Sequence, residues 1–176
     1  MKIGFTGTMS VGKTTLVKAL ADTPEFIDYE VRTERSKYLR DLGIPLNTDS
    51  TLKGQIIFMA ERCSELFQPN IITDRTIIDV MAFTSLAETI PVTHNDLYEP
   101  LASKLLNEYD YIFYISPEGV SIEDNGVRTT NSEYRNKVDN EIKNIIKKYK
   151  GNLQNLIELK GSVNERIEKV KQTLSL

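Results

Sequence analysis

Five short apolar runs organise the hydrophobic positions of this chain: residues 2–6, 26–31, 70–73, 111–115 and 155–159. Runs of that length, rich in Ile, Val, Phe and Tyr, read as buried strands. Between them the apolar residues return every three or four positions, the spacing of a helix face. Leu16, Val17, Ala19 and Leu20 mark the first such face. "RTERSKYLRDLG" and "TLKGQIIFMAERCSELF" lie between the second and third strands, and "TIIDVMAFTSLA" and "NDLYEPLASKLLNEY" follow the third. Val138, Ile142, Ile145, Ile146 and Tyr149 form one late stripe, and Val163, Ile167, Val170 and Leu174 another. Strands that alternate with helices predict a parallel sheet covered on both faces. The expected architecture is a three-layer α/β fold with five parallel strands. Without an internal repeat, a low-complexity tract or a dividing linker, 1–176 is expected to be one domain.

The connection between the first strand and the first helix carries the most specific signal. Gly7-Thr8-Met9-Ser10-Val11-Gly12-Lys13-Thr14 fits G-x-x-x-x-G-K-[ST] in the strand-to-helix setting that the pattern requires. A helix N-terminus offers unpaired N–H groups and a favourable dipole to a polyphosphate. Gly7 and Gly12 lack a Cβ, so the backbone can curl and bring its amides close to oxygen. Lys13 is expected to reach the β- and γ-phosphates, and the Thr14 hydroxyl to take one Mg²⁺ position. Gly7, Thr8, Ser10, Val11, Gly12, Lys13, Thr14 and Thr15 form the expected nucleotide-contacting set.

Composition narrows the setting. The 176 residues are 40% hydrophobic and 27% charged, ordinary for a globular chain, with a net charge of −3. A domain that grips nucleic acid usually carries a basic excess, so the balance leans towards a small-molecule substrate. Cys63 is the sole cysteine, which excludes an internal disulfide and fits a reducing cytosol. It is expected to be a buried structural thiol. His94 stands alone in the loop-like "IPVTHNDLYEP", where a solvent or capping role is expected. The chain opens directly on a strand and has no apolar run of membrane-spanning length, so a soluble, cytoplasmic protein is expected.

Three further stretches carry candidate chemistry. In "NIITDRTIIDVMAF", Asp74 stands at the carboxyl end of a buried run, where it can hold Mg²⁺ directly or through water. Arg75 follows with a planar fork suited to phosphate, and Asp79 can cap or orient the site. After the second strand, "DYEVRTERSKYLRDLG" brings Glu30, Arg32, Glu34 and Arg35 towards the edge where an acceptor would sit. A carboxylate there serves as base to an acceptor hydroxyl, with Glu34 the first choice and Glu30 behind it. Arg32 and Arg35 suit the acceptor or its phosphate. "SPEGVSIEDNGVRTTNSEYRNK" reads as a lid over roughly 117–137, with Arg128, then Arg135, placed to stabilise the transferring phosphoryl.

Taken together, "GTMSVGKTTL", "TDRTIIDVMAF", "YDYIFYISPEG", "DNGVRTTNSEYR" and "LIELKGSVNERIEKV" resemble the P-loop kinases of the ribosylnicotinamide kinase group. That group includes the kinase domain of the bacterial NAD-regulating protein. Its wider relatives are labelled AAA-type ATPases and are common in phage genomes. The resemblance spans nearly the whole chain. It implies a nucleoside-kinase-like fold, ATP as donor, Mg²⁺, and transfer to a hydroxyl of a nucleoside or similar acceptor. On that resemblance Lys13 and Thr14 take the loop roles, Asp74 the strand-end carboxylate and Arg128 the lid position. No adenylyl-transferring domain accompanies the kinase stretch, so the complete bifunctional protein is not expected.

Two other functions remain open on the sequence. A kinase acting on a polynucleotide or a modified base in DNA needs a basic groove. "EIKNIIKKYKGN" is the lysine-rich stretch available, but its lysines fall opposite the apolar stripe. A regulatory P-loop ATPase would hydrolyse without an acceptor.

Overall fold

The computed structural model describes residues 1–33, 36–118 and 132–176. In chain order the strands and helices are β1 (Lys2–Thr6), α1 (Lys13–Ala21), β2 (Glu30–Arg32), α2 (Ser36–Asp41), α3 (Leu52–Glu65), β3 (Ile71–Asp74), α4 (Ile77–Ser85), α5 (Val92–Ser103), β4 (Tyr111–Ile115), α6 (Ser132–Lys148), β5 (Leu156–Leu159) and α7 (Val163–Leu174). Every strand pair is parallel, in the order β2-β3-β1-β4-β5. β1 is central, with β3 on one side and β4 on the other. Successive connections therefore diverge from its carboxyl end, which makes that end a switch point where open α/β sheets hold ligands.

The pleat explains the two helical layers. Ile3 and Phe5 of β1 and Phe113 and Ile115 of β4 face one side and pack on Leu16, Val17 and Leu20 of α1 and Val170 and Leu174 of α7. Phe5 stacks on Phe113 with ring centroids 5.3 Å apart. Ile112 and Tyr114 face the other side, where α4 and α6 supply Ile77, Ile78, Met81, Val138 and Ile142. α4 is apolar almost all round because it lies against α3, α5 and α6 as well as the sheet. Each fully buried side chain of this size contributes roughly 1.5–3 kcal/mol of transfer free energy.

The sheet and its two covered faces match the expected architecture, and four strands fall within a residue of expectation. The second departs. Pro24–Phe26 forms a 3-10 turn instead, and β2 is only Glu30–Arg32. Pro24 fixes a turn-compatible φ. Phe26 is then buried against the edge of Tyr29 at 5.2 Å while Ile27 faces solvent, so the apolar pair serves a turn and not a pleat. His94 also departs from the loop expectation, since α5 begins at Val92 and puts it in the first helical turn, exposed. Cys63 is half-buried and not fully enclosed. The lysines of α6 behave as a solvent face: Lys143 pairs with Asp139 at 2.7 Å and Lys148 with Glu99 at 2.7 Å. Among the described residues, no helix is long and apolar enough to cross a membrane.

Gly4 marks the tightest contact between sheet and helix layer. A Cβ there would collide with the Thr76 methyl and come within 2.9 Å of the Tyr109 ring. Gly4→Ala is therefore expected to cost about 1–3 kcal/mol, the usual range for overpacking. Urea denaturation monitored by circular dichroism measures it, with an unchanged slope and a lower midpoint.

Candidate functional site

The turn from β1 into α1 has the backbone that the loop pattern requires. Gly7 has φ 152° and Gly12 φ 82°, and Ser10 between them has φ 58°. Gly7 is also sterically fixed, because a Cβ would stand 2.7 Å from the Ile115 carbonyl oxygen. Gly12 is the N-cap of α1.

Four of the loop's carbonyl oxygens, those of Gly7, Thr8, Met9 and Val11, are held by cations. Lys13 Nζ donates to Gly7 O at 2.6 Å and Thr8 O at 2.8 Å. Arg135 Nε, from α6, donates to Met9 O at 3.2 Å, and Arg166 of α7 donates to Val11 O at 2.7 Å. Thr8 Oγ1 returns a bond to Arg135 O at 2.9 Å. A trans peptide is planar, so a carbonyl turned one way sends the next residue's N–H the other way. The N–H groups of Thr8, Met9, Val11 and Gly12 have no hydrogen-bond partner among the described residues. The result is a turn whose amides are left open while its carbonyls are backed by buried positive charge. An acidic chain thus carries a locally cationic site.

Asp74 ends β3 beside this turn, because Phe5 and Asp74 are in register across β1 and β3. The Thr14 hydroxyl donates to Asp74 Oδ2. Asp74 Oδ1 is buried and has no hydrogen-bond partner among the described residues. A buried carboxylate oxygen left open next to a hydroxyl is a donor set that suits a hard divalent cation. The residues present therefore fit a Mg²⁺ ion shared with bound phosphates.

Asp79 ties the loop to α4. Its Oδ2 accepts from Thr76 N at 2.9 Å and Thr76 Oγ1 at 3.3 Å, closing a capping box. Its Oδ1 accepts from Gly7 N at 3.3 Å and lies 3.6 Å from the Arg75 guanidinium. Arg75 itself has φ 100° and stacks over the Phe83 ring at 5.0 Å. Its backbone is held at both ends, by Arg75 N donating to Phe5 O at 3.0 Å and Arg62 donating to Arg75 O at 3.3 Å. Arg62 is buried in an ion pair with Glu65 at 2.7 Å.

Arg75, Asp79 and Met9 form one wall of a cavity of about 50 Å³ that opens beside the loop. Phe58, Phe83, Val80 and Leu46 make its apolar sides, and Ser36, Asn47, Ser50 and Gln55 add polar groups. The sequence points to the loop, Asp74, Arg75 and Asp79, and the structure brings these together. It does not point to Gln55, Phe58, Phe83, Arg62 or Arg166. The one signal for α3 is its polar positions, since Gln55, Arg62 and Glu65 are, with Gly54, its buried residues while Ile56 is exposed. Thr15 is exposed in the first turn of α1.

The stretch after β2 is placed differently. Glu30 pairs with Ile71, at the start of β3, roughly 10 Å below the level of Asp74 at ~3.3 Å per residue. Its carboxylate meets Arg32 at 3.1 Å on the surface, and neither lines the cavity. Glu34, Arg35 and Arg128 lie outside the described residues. So does most of the expected lid; residues 132–137 are already in α6, and Arg135 there faces the loop.

A parallel five-stranded sheet, helices on both faces and a turn of open amides between β1 and α1 define the P-loop nucleoside-triphosphatase fold. Residues 2–166 match the family model described as an AAA domain, and the chain belongs to that family. No curated protein sequence matches. Among solved structures it is similar to deoxyadenosine kinase from M. mycoides with dCMP and dCDP, at 20% identity and a TM-score of 0.68, covering 99% of this chain and 98% of that one. It is also similar to NadR in complex with NAD and AMP-PNP, at 19% identity and a TM-score of 0.72. That match covers 99% of this chain and 49% of the other, so the chain spans about half of NadR.

Asp79→Asn tests the tie between loop and helix. The amide cannot accept from Gly7, Thr76 and Arg75 together, and buried donors are left unmet. A loss of about 1–3 kcal/mol in urea unfolding is expected, whereas a change below ~0.5 kcal/mol would show that the carboxylate is not holding the loop.

Proposed function

We propose that the chain is an ATP-dependent kinase that transfers a phosphoryl group to a hydroxyl of a nucleoside-like small molecule. The observation that carries this reading is the shared wall: Met9, Arg75 and Asp79 border the cavity while Met9 and Asp79 also belong to the phosphate loop or bind it. A second ligand in that cavity stands next to the end of a polyphosphate on the open amides. The family match and the likeness to deoxyadenosine kinase and NadR support the same reading.

On this reading the loop amides bind and orient the donor's phosphates, and Lys13, which holds Gly7 O and Thr8 O in this structure, would turn from those carbonyls to the phosphates. Thr14 and Asp74 would hold Mg²⁺, which when bound neutralises charge on the phosphates. Phe58 and Phe83 give flat apolar walls suited to a base, and the Gln55 amide offers donors and an acceptor to a base edge. Arg75 positions the acceptor and adds charge next to the transferring group. From the sequence, Glu34 is proposed as the carboxylate that takes the acceptor proton and Arg128 as the lid cation. Arg35 is proposed to contact the acceptor. Glu30 and Arg32, paired with each other at the sheet edge, are secondary to these.

ADP release with ATP and Mg²⁺ is measured against nucleosides, ribosylnicotinamide, nucleoside monophosphates and short DNA, with Lys13→Ala as the blank. One nucleoside-like acceptor is expected to accelerate release, and the blank to lose about 10²-fold or more of that rate. Response to DNA alone would transfer the protein to nucleic-acid modification. Acceptor-independent release throughout would make it a regulatory ATPase.

Arg75→Lys separates the acceptor role from general charge. It keeps the cation but not the planar fork. A roughly tenfold or greater rise in acceptor KM with ATP KM unchanged is expected. An equal rise in both constants would remove Arg75 from the acceptor side.

A further inference from the structure

Arg166 lies far along the chain from the loop, on the first turns of α7, and is 4% exposed. Its NH1 donates to Val11 O at 2.7 Å and stands 3.5 Å from where a Gly12 Cβ would be. Its Nε is buried with no hydrogen-bond partner among the described residues. Among the same residues no carboxylate pairs with it, unlike Arg62, which has Glu65, and Arg75, which has Asp79. Burial pushes its guanidinium below the usual arginine range, with no acidic neighbour acting against that. A buried cation without a counter-charge is costly to the fold that contains it.

Opposite this charge stand the open amides of the loop. By peptide planarity, Arg166 holding Val11 O fixes the Gly12 N–H towards the space that the other loop amides face. We infer that Arg166 is a positioning residue for the donor polyphosphate, locking the Val11–Gly12 peptide and receiving its missing counter-charge from the bound phosphates. The inference rests on the nucleotide-binding part of the proposed function but not on the acceptor. It makes α7, the last helix, part of the donor site. The ligand class is set by charge: several linked phosphates and no base are required for the effect.

Calorimetric titration of ATP, inorganic tripolyphosphate and adenosine into wild type, Arg166→Met and Arg166→Lys tests it, alongside the melting temperature of each protein without ligand. Arg166→Met is expected to weaken ATP and tripolyphosphate alike by about ten- to a hundredfold, the worth of one charge-assisted hydrogen bond. Its ligand-free melting temperature is expected to stay level or rise, because removing an uncompensated buried charge offsets the loss of the bond to Val11 O. Arg166→Lys is expected to recover part of the affinity for both phosphate ligands. Phosphate affinity within threefold of wild type in the Met variant overturns the inference, as does a weakening confined to adenosine. So does a lower ligand-free melting temperature with phosphate affinity retained. If Arg166→Met does not fold, Arg166→Lys decides by the same affinities. If wild type binds neither ATP nor tripolyphosphate, it is the nucleotide reading itself that fails.

Discussion

The carboxyl edge of the sheet works only if the carbonyls of the β1–α1 turn stay turned away from the space that their amides face. Left alone, a peptide can rotate either its oxygen or its N–H towards that space, and an oxygen there would repel an anion. Three cations prevent this. Lys13 takes two carbonyls, Arg135 a third and Arg166 a fourth. They come from three helices, so the loop is braced from α1, α6 and α7 together. Each bond does two things: it satisfies a carbonyl of the turn that precedes the helix, and it places positive charge beside the N–H groups that the helix N-terminus leaves unpaired. A turn oriented in advance of any ligand has little to reorganise when charge appears in it.

The sheet makes the brace possible. β4 lies beside β1 and its last carbonyl, from Ile115, closes on Gly7 so tightly that only glycine fits. On the other side β3 delivers Asp74 level with Phe5. One strand neighbour thus shapes the loop by contact and the other supplies its carboxylate. The two apolar clusters on either face hold these strands in register, which is how burial of Ile3, Phe5 and Phe113 becomes precision at the site.

How much of this is legible in the sequence follows from how local each feature is. The loop, Asp74, Arg75 and Asp79 lie within short motifs, and the alternation of strands and helices is enough to place them at one edge of the sheet. The second strand is harder to place because Phe26 and Ile27 are adjacent apolar residues whose burial is decided by the turn that Pro24 begins, not by a pleat. Glu30 falls at the opposite end of its strand from the one expected for the same reason, since register depends on the partner strand. Arg166 lies within one of the stretches that carry the resemblance, but nothing near it in sequence marks it as a partner of the loop. Its partner is Val11, 155 positions away, and only the packing of α7 on α1 brings them together. Gln55 and Phe58 are legible as helix and invisible as a cavity wall, because a cavity belongs to several elements at once.

Arg75 shows what the arrangement costs. A side chain at φ 100° is strained by about 1–3 kcal/mol, and it persists only where neighbours over-determine it. Here two backbone bonds fix it, from Phe5 O and from Arg62, and Arg62 is itself held on the buried face of α3 by its ion pair with Glu65. The strain sets a direction. In a relaxed strand-to-helix turn the residue after Asp74 would continue the pleat, whereas this conformation lays the guanidinium across Phe83 and next to Asp79. That carboxylate also receives the Gly7 amide, so one acidic group joins the loop to the cavity wall. Substituting Arg62 should therefore be felt first in the cavity, through Arg75, while the loop braces remain in place.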